Sequence, residues 1–121
     1  MLTLDKPFKE TLNHLVDFVT VQDAACKPNS GCLMVKMRQS RMHLTSGAQK
    51  KIDAIQAWVL MTYQEWIERC KEKGEFKTNM SSTLAASYID TQIHSALAQL
   101  AQGETNTNVK GVLALSFSVL V

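Results

Sequence analysis

Apolar positions along the chain recur mostly with the period of an α-helix. Phe8, Leu12, Leu15, Val16 and Val19 follow one another three or four positions apart, with Lys9, Glu10, Asn13 and Asp17 between them. That spacing places the apolar set on one stripe of an amphipathic helix. Asp5-Lys6-Pro7 stands at its start, where an aspartate accepts a hydrogen bond from an unpaired amide and proline suits the first turn. Lys27-Pro28-Asn29-Ser30-Gly31 ends it. A second, shorter segment opens at Ser30-Gly31, with Cys32, Leu33, Val35, Met37 and Met42 apolar and Lys36, Arg38 and Arg41 polar, and stops near Thr45-Ser46-Gly47. The pattern then predicts one long helix from about Ser46 to Lys73, roughly 40 Å at the usual rise. Its stripe is Ile52, Ile55, Val59, Thr62, Trp66 and Cys70, flanked by Trp58, Tyr63 and Ile67. Arg69, Lys71 and Lys73 load the final turn, where cations are favoured, and Gly74 is the stop.

A fourth helix is predicted from Asn79 or Ser81 to Gly103, and its only ionisable groups are Tyr88, Asp90 and His94. The loop Gly103-Glu104-Thr105-Asn106-Thr107-Asn108 leads to a fifth segment, 109–121, charged at Lys110 alone. In that segment Leu113, Leu115, Phe117, Val119 and Val121 alternate with Ala114, Ser116, Ser118 and Leu120, a strand-like pattern. A lone strand after four helices has nothing to pair with, so the segment is assigned as helix. The fold class expected is therefore all-α, a five-helix bundle-like single domain over residues 1–121. Exposed helix faces normally carry charge. Two adjacent helices with almost none, rich in Ala and Ser, predict a homodimer built on the last two helices. Its interface residues are expected to be Leu84, Ile89, Ile93, Ala96, Leu97, Leu100, Leu113 and Phe117.

Composition narrows the picture a little. With 121 residues, 45% hydrophobic and 20% charged, the chain is of ordinary globular make-up. A net charge of +2 is too small to argue for nucleic acid, and the basic group Lys36, Arg38 and Arg41, beside Lys50 and Lys51, reads as a solvated helix face. Cys26, Cys32 and Cys70 lack metal-ligand spacing, and their odd number suits a reducing compartment. No basic start with a long apolar run marks a signal peptide, and 112–121 is too short to span a bilayer. A cytoplasmic location without membrane contact is the expectation.

A resemblance to the TetR family of transcriptional repressors rests on an ordered set of segments. Ser30-Gly31-Cys32-Leu33-Met34-Val35-Lys36-Met37 is similar to the Gly-Cys-Leu segment midway through that family. The turn Glu72-Lys73-Gly74-Glu75-Phe76 follows a long helix. Next come the low-charge Leu84-Ala85-Ala86-Ser87-Tyr88-Ile89-Asp90, then Ala101-Gln102-Gly103-Glu104, and a last apolar helix. The resemblance covers residues 5–121 and implies an effector-binding and dimerisation domain, taking a small apolar or amphipathic molecule between its helices. Family members carry an N-terminal helix-turn-helix ending in a Tyr-x-His-Phe signature, and residues 1–121 are expected to correspond to the family's body without that head. DNA binding needs a helix presented to the major groove, so none is expected of this chain alone. A dimerisation protein that sequesters relatives is the alternative from another class.

Individual side chains sharpen these expectations. Trp58, Trp66, Met34, Met37, Met61, Tyr63 and Tyr88 are candidates for lining an effector pocket, with an ordinary bundle core as the competing reading. Cys32, at a probable helix start with Lys36 one turn on, is the candidate for an electrophile or redox sensor, a small buried hydrophobe being the alternative. Asp90 and His94, four apart on one helix, read as a hydrogen-bonded structural pair rather than an acid–base couple or metal site, and His14 and His43 are isolated. No nucleophile elbow, phosphate loop or paired carboxylates suggest an enzyme, a metal or a cofactor.

Overall fold

The structure is a computed structural model that describes residues 7–21, 30–76 and 78–121, with the side chains of all but 21 and 30–34. It contains five α-helices: α1 Phe8–Val21, α2 Ser30–Gln39, α3 Ser46–Glu72, α4 Ser82–Ala101 and α5 Asn106–Phe117. Short 3-10 turns follow α2 (Arg41–His43) and α5 (Ser118–Leu120), and no strand occurs among the described residues. Helix α3 packs along α4, while α1 and α4 both flank α5 and α2 leans on α4. The all-α architecture is thus as the spacing predicts. Segment 109–121 is helical as assigned: its buried residues Val109, Leu113, Phe117 and Leu120 fall four, four and three apart. The alternation arose because outward positions Leu115 and Val119 are apolar as well.

Side-chain caps fix where three helices begin. Thr45, Ser81 and Thr105 each accept a hydrogen bond from the amide three residues on, at Ala48, Leu84 and Asn108. Two helices end in the same motif. Gly74 (φ 73°) and Gly103 (φ 97°) take the left-handed conformation, which has no steric cost for glycine. Their amides and those of Glu75 and Glu104 satisfy the last carbonyls of α3 and α4, on Lys71, Leu100, Cys70 and Gln99. The cap expected at Asp5 lies outside the described residues. At the start of α1 the Phe8 amide donates to the Glu75 carboxylate, 2.9 Å away in the α3–α4 connection.

The core joins the inner faces of α1, α4 and α5 to the last turns of α3. Phe8, Leu12, Leu15, Val16 and Val19 are buried against Trp66, Ile67, Cys70, Ala85, Ile89, Leu113 and Phe117. Phe8 lies 4.9 Å from the Trp66 ring and edge-on to Phe76 at 5.3 Å between centroids. The first half of α3 departs from the predicted stripe. Ile52 is buried, but Ile55 is largely exposed and Val59 only half-buried. The buried residues of α3 are Ile52 and, at the far end that reaches the core, Trp66, Ile67 and Cys70, with Tyr63 half-buried against them.

Candidate functional site

Two features stand out: a polar centre where α2, α3 and α4 meet, and the outward surfaces of α3, α4 and α5. The polar centre is built around Asp90, 8% exposed on the inner side of α4. From α3 the Gln56 side-chain amide donates to its carboxylate at 2.7 Å. From the end of α2 the Arg38 guanidinium pairs with it at 3.4 Å. A buried carboxylate is costly unless its charge and lone pairs are matched, and Gln56 and Arg38 do both. His94, one turn further along α4, is not the hydrogen-bond partner expected from the four-residue spacing; Asp90 is spent on α2 and α3 instead. Burial holds the His94 imidazole below its ordinary 6.5, Arg38 adds to the effect, and Asp90 opposes it. Tyr63 on α3 is pushed up to about 12, chiefly by burial and also by the Asp90 charge. The arrangement locks three helices together and holds a fixed charge pair. Among the described residues no three His, Cys, Asp or Glu side chains gather as metal ligands.

The side chains expected to line one effector pocket do not converge. Trp66 is in the core against Phe8, whereas Trp58 is 66% exposed and Met61 is also exposed. Eight positions separate the two tryptophans, which turns them about 80° apart on a helix. Tyr63 and Tyr88 are half-buried, and the Tyr88 hydroxyl is committed to the Ser116 carbonyl at 2.7 Å. Met37 is half-buried at the end of α2, and the Met34 side chain lies outside the described residues. An open groove of about 510 Å³ does run between α3 and α4, lined by Ala57, Leu60, Met61, Gln64, Glu65 and Glu68 of α3 and by Thr83, Ala86 and Ser87 of α4. Of the expected lining residues it uses Met61. Alanines and polar side chains make up most of its lining, so large apolar side chains were the wrong signal for it.

The Cys32 side chain also lies outside the described residues, as does Cys26; Lys36 is exposed. Cys70 is buried, and its thiol is pushed up by that burial and by Glu75, against a smaller opposing effect of Lys73.

The expected interface residues need correction within their helices. Ile89, Ala96, Leu100, Leu113 and Phe117 are buried in the chain's own core and present nothing to a second molecule. Ile93 and Leu97 are half-buried against that core, and Leu84 is exposed. What α4 and α5 do present is Leu84, Thr91 and Ser95 beside Thr107, Gly111, Val112, Leu115 and Val119, all exposed and uncharged. The single lysine of α5, Lys110, points away to pair with Asp17 of α1 at 2.9 Å.

No family model, no curated protein and no solved structure matches the chain. No helix among the described residues is long and apolar enough to cross a membrane.

Proposed function

We propose that this chain is a dimerising, effector-binding body similar to that of TetR-like transcriptional regulators, and that α4 and α5 are its pairing surface. The observation that carries the reading is the outward face of α4 and α5. Leu84, Thr91, Ser95, Val112, Leu115 and Val119 are exposed there with no carboxylate, lysine or arginine among them. Solvated helix faces of a small monomer carry charge, and a contiguous uncharged face is the mark of an interaction surface. A second copy suits it because Gly111 and Ser95 allow close helix approach and the two faces are identical in chemistry. The α3–α4 groove, about 510 Å³ and mostly apolar in the surface it presents, is of the size that takes a small effector. Arg38, Gln56 and Asp90 supply the rigid joint through which a change at α3 or α4 reaches α2. In this reading an effector acts by favouring one arrangement of those helices over another.

Sedimentation equilibrium of the 121-residue chain tests the pairing. A dimer is expected at micromolar concentration. Leu115→Arg places an unpaired charge at the centre of the face, so it is expected to weaken pairing by about a hundredfold or more. A chain that stays monomeric at hundreds of micromolar, or a dimer indifferent to Leu115→Arg, removes the proposal.

A further inference from the structure

The exposed side of α3 carries a pattern that neither the core nor the α4–α5 face uses. Trp58 stands at its middle, 66% exposed, with Ile55 and Met61 exposed on either side and Ala54 and Ala57 beside them. Toward the helix start the stripe turns basic, at Lys50 and Lys51, and toward its end acidic, at Glu65 and Glu68, all four exposed. Among the described residues none of these four makes an ion pair or side-chain hydrogen bond within the chain.

The order basic, apolar, acidic is self-complementary when one helix is laid antiparallel on a copy of itself. Lys51 and Glu65 each stand seven positions from Trp58. Seven positions are about 10 Å of rise and nearly two whole turns, so both side chains point within about 20° of the Trp58 direction. A two-fold axis through Trp58 therefore sets Lys51 of each molecule against Glu65 of the other, twice over. The same operation brings Ile55 of one molecule to Met61 of the other, three positions either side of the axis, and stacks the two Trp58 rings at the centre. That is the anatomy of an isologous interface: an aromatic anchor at the centre with charged pairs at the rim.

We infer that the outward stripe of α3 is a docking surface for a second copy of this chain, paired antiparallel about Trp58. It uses side chains disjoint from the α4–α5 face, so it stands without that pairing. With both in place, the α4–α5 dimers expected at micromolar concentration join further at the higher concentrations where the α3 contact forms.

The test is a charge swap read by sedimentation equilibrium, in the otherwise native chain and in the Leu115→Arg background. Lys51→Glu alone sets like charges against each other at both rim positions, and is expected to weaken α3 association about tenfold at low salt, as is Glu65→Lys. Lys51→Glu combined with Glu65→Lys rebuilds both pairs in reverse and is expected to restore association to within about threefold of native. Trp58→Ala is expected to abolish it. All these positions are exposed, so the variants are expected to fold, which circular dichroism checks. Three results overturn the inference: a Leu115→Arg chain that is monomeric at hundreds of micromolar, association indifferent to Lys51→Glu, or a double variant no better than the singles. If Leu115→Arg itself changes nothing, the α4–α5 pairing fails, and the charge swap still decides the α3 pairing on its own.

Discussion

Thr11 is fully buried on the inner face of α1, and its hydroxyl has no hydrogen-bond partner. Burying such a hydroxyl without a partner costs about 1–3 kcal/mol. Valine keeps its shape and its branching at Cβ and has a similar helix propensity. Thr11→Val is therefore expected to stabilise the fold by about 1 kcal/mol, seen as a higher urea midpoint at unchanged slope. A lower midpoint would mean that the hydroxyl has a partner after all. His94 makes a different prediction. Its imidazole is held below the ordinary 6.5 by burial, with Arg38 adding to the effect. On acidification the unfolded chain takes up that proton before the folded one does. Stability is therefore undiminished by this group above pH 6.5 and falls as the pH drops below it. His94 is partly open to solvent, so the effect is small. Thermal midpoints between pH 7.5 and 5 should fall more steeply for the native chain than for His94→Gln, about the same ordinary pKa near 6.5. Parallel curves would acquit the residue.

At the scale of the helix, ends are set by local chemistry and faces are not. Gly74 adopts φ 73°, with nothing within 4 Å of where a Cβ would stand. Gly74→Ala therefore meets no clash and suffers only the left-handed backbone penalty, about 1–2 kcal/mol. Its thermal midpoint should fall accordingly, and an unchanged midpoint would show that the turn relaxes. Such stops were legible in the sequence, as were all five helices, because caps, glycines and spacing act over a few neighbouring residues. The buried face of α1 was equally legible, since Lys9, Glu10, Asn13 and Asp17 contrast with its apolar stripe. Helices α4 and α5 offer no such contrast. Leu113 and Leu115 look alike in the sequence, yet one is in the core and the other 72% exposed. Scarcity of charge pointed to these two helices and gave no means of choosing between their sides. The partners of Asp90 were hidden for another reason. Arg38 and Gln56 become its neighbours only once α2 and α3 are placed against α4, and spacing along α4 alone pointed to His94. Likewise the α3–α4 groove is lined mostly by alanines and polar side chains, which leave no mark in a search for large apolar ones.

Across the whole molecule, the helices divide by how far along the chain their partners lie. Helices α3 and α4 are joined by a short connection, and their contact is the most extensive between any two helices. Helix α1 is different, for among the described residues its side-chain fastenings reach far along the chain. The Phe8 amide meets Glu75, 67 positions on, and the Thr20 carbonyl accepts from Asn106, 86 positions on. Asp17 adds its pair with Lys110 at 2.9 Å. During folding, the α3–α4 hairpin can form from local encounters, while α1 must wait for a surface that exists only after α3, α4 and α5 have come together. Docking of the first helix is therefore expected to be the last step of assembly and its loss the first step of unfolding. Leu12→Ala, a deletion in the buried face of α1 worth about 2–5 kcal/mol, is expected to speed unfolding and leave the refolding rate nearly unchanged. Stopped-flow measurements in urea distinguish the two limbs, and refolding slowed in step with the lost stability would place α1 in the nucleus instead. The segment first in the chain is, on this account, the last to commit to the native state.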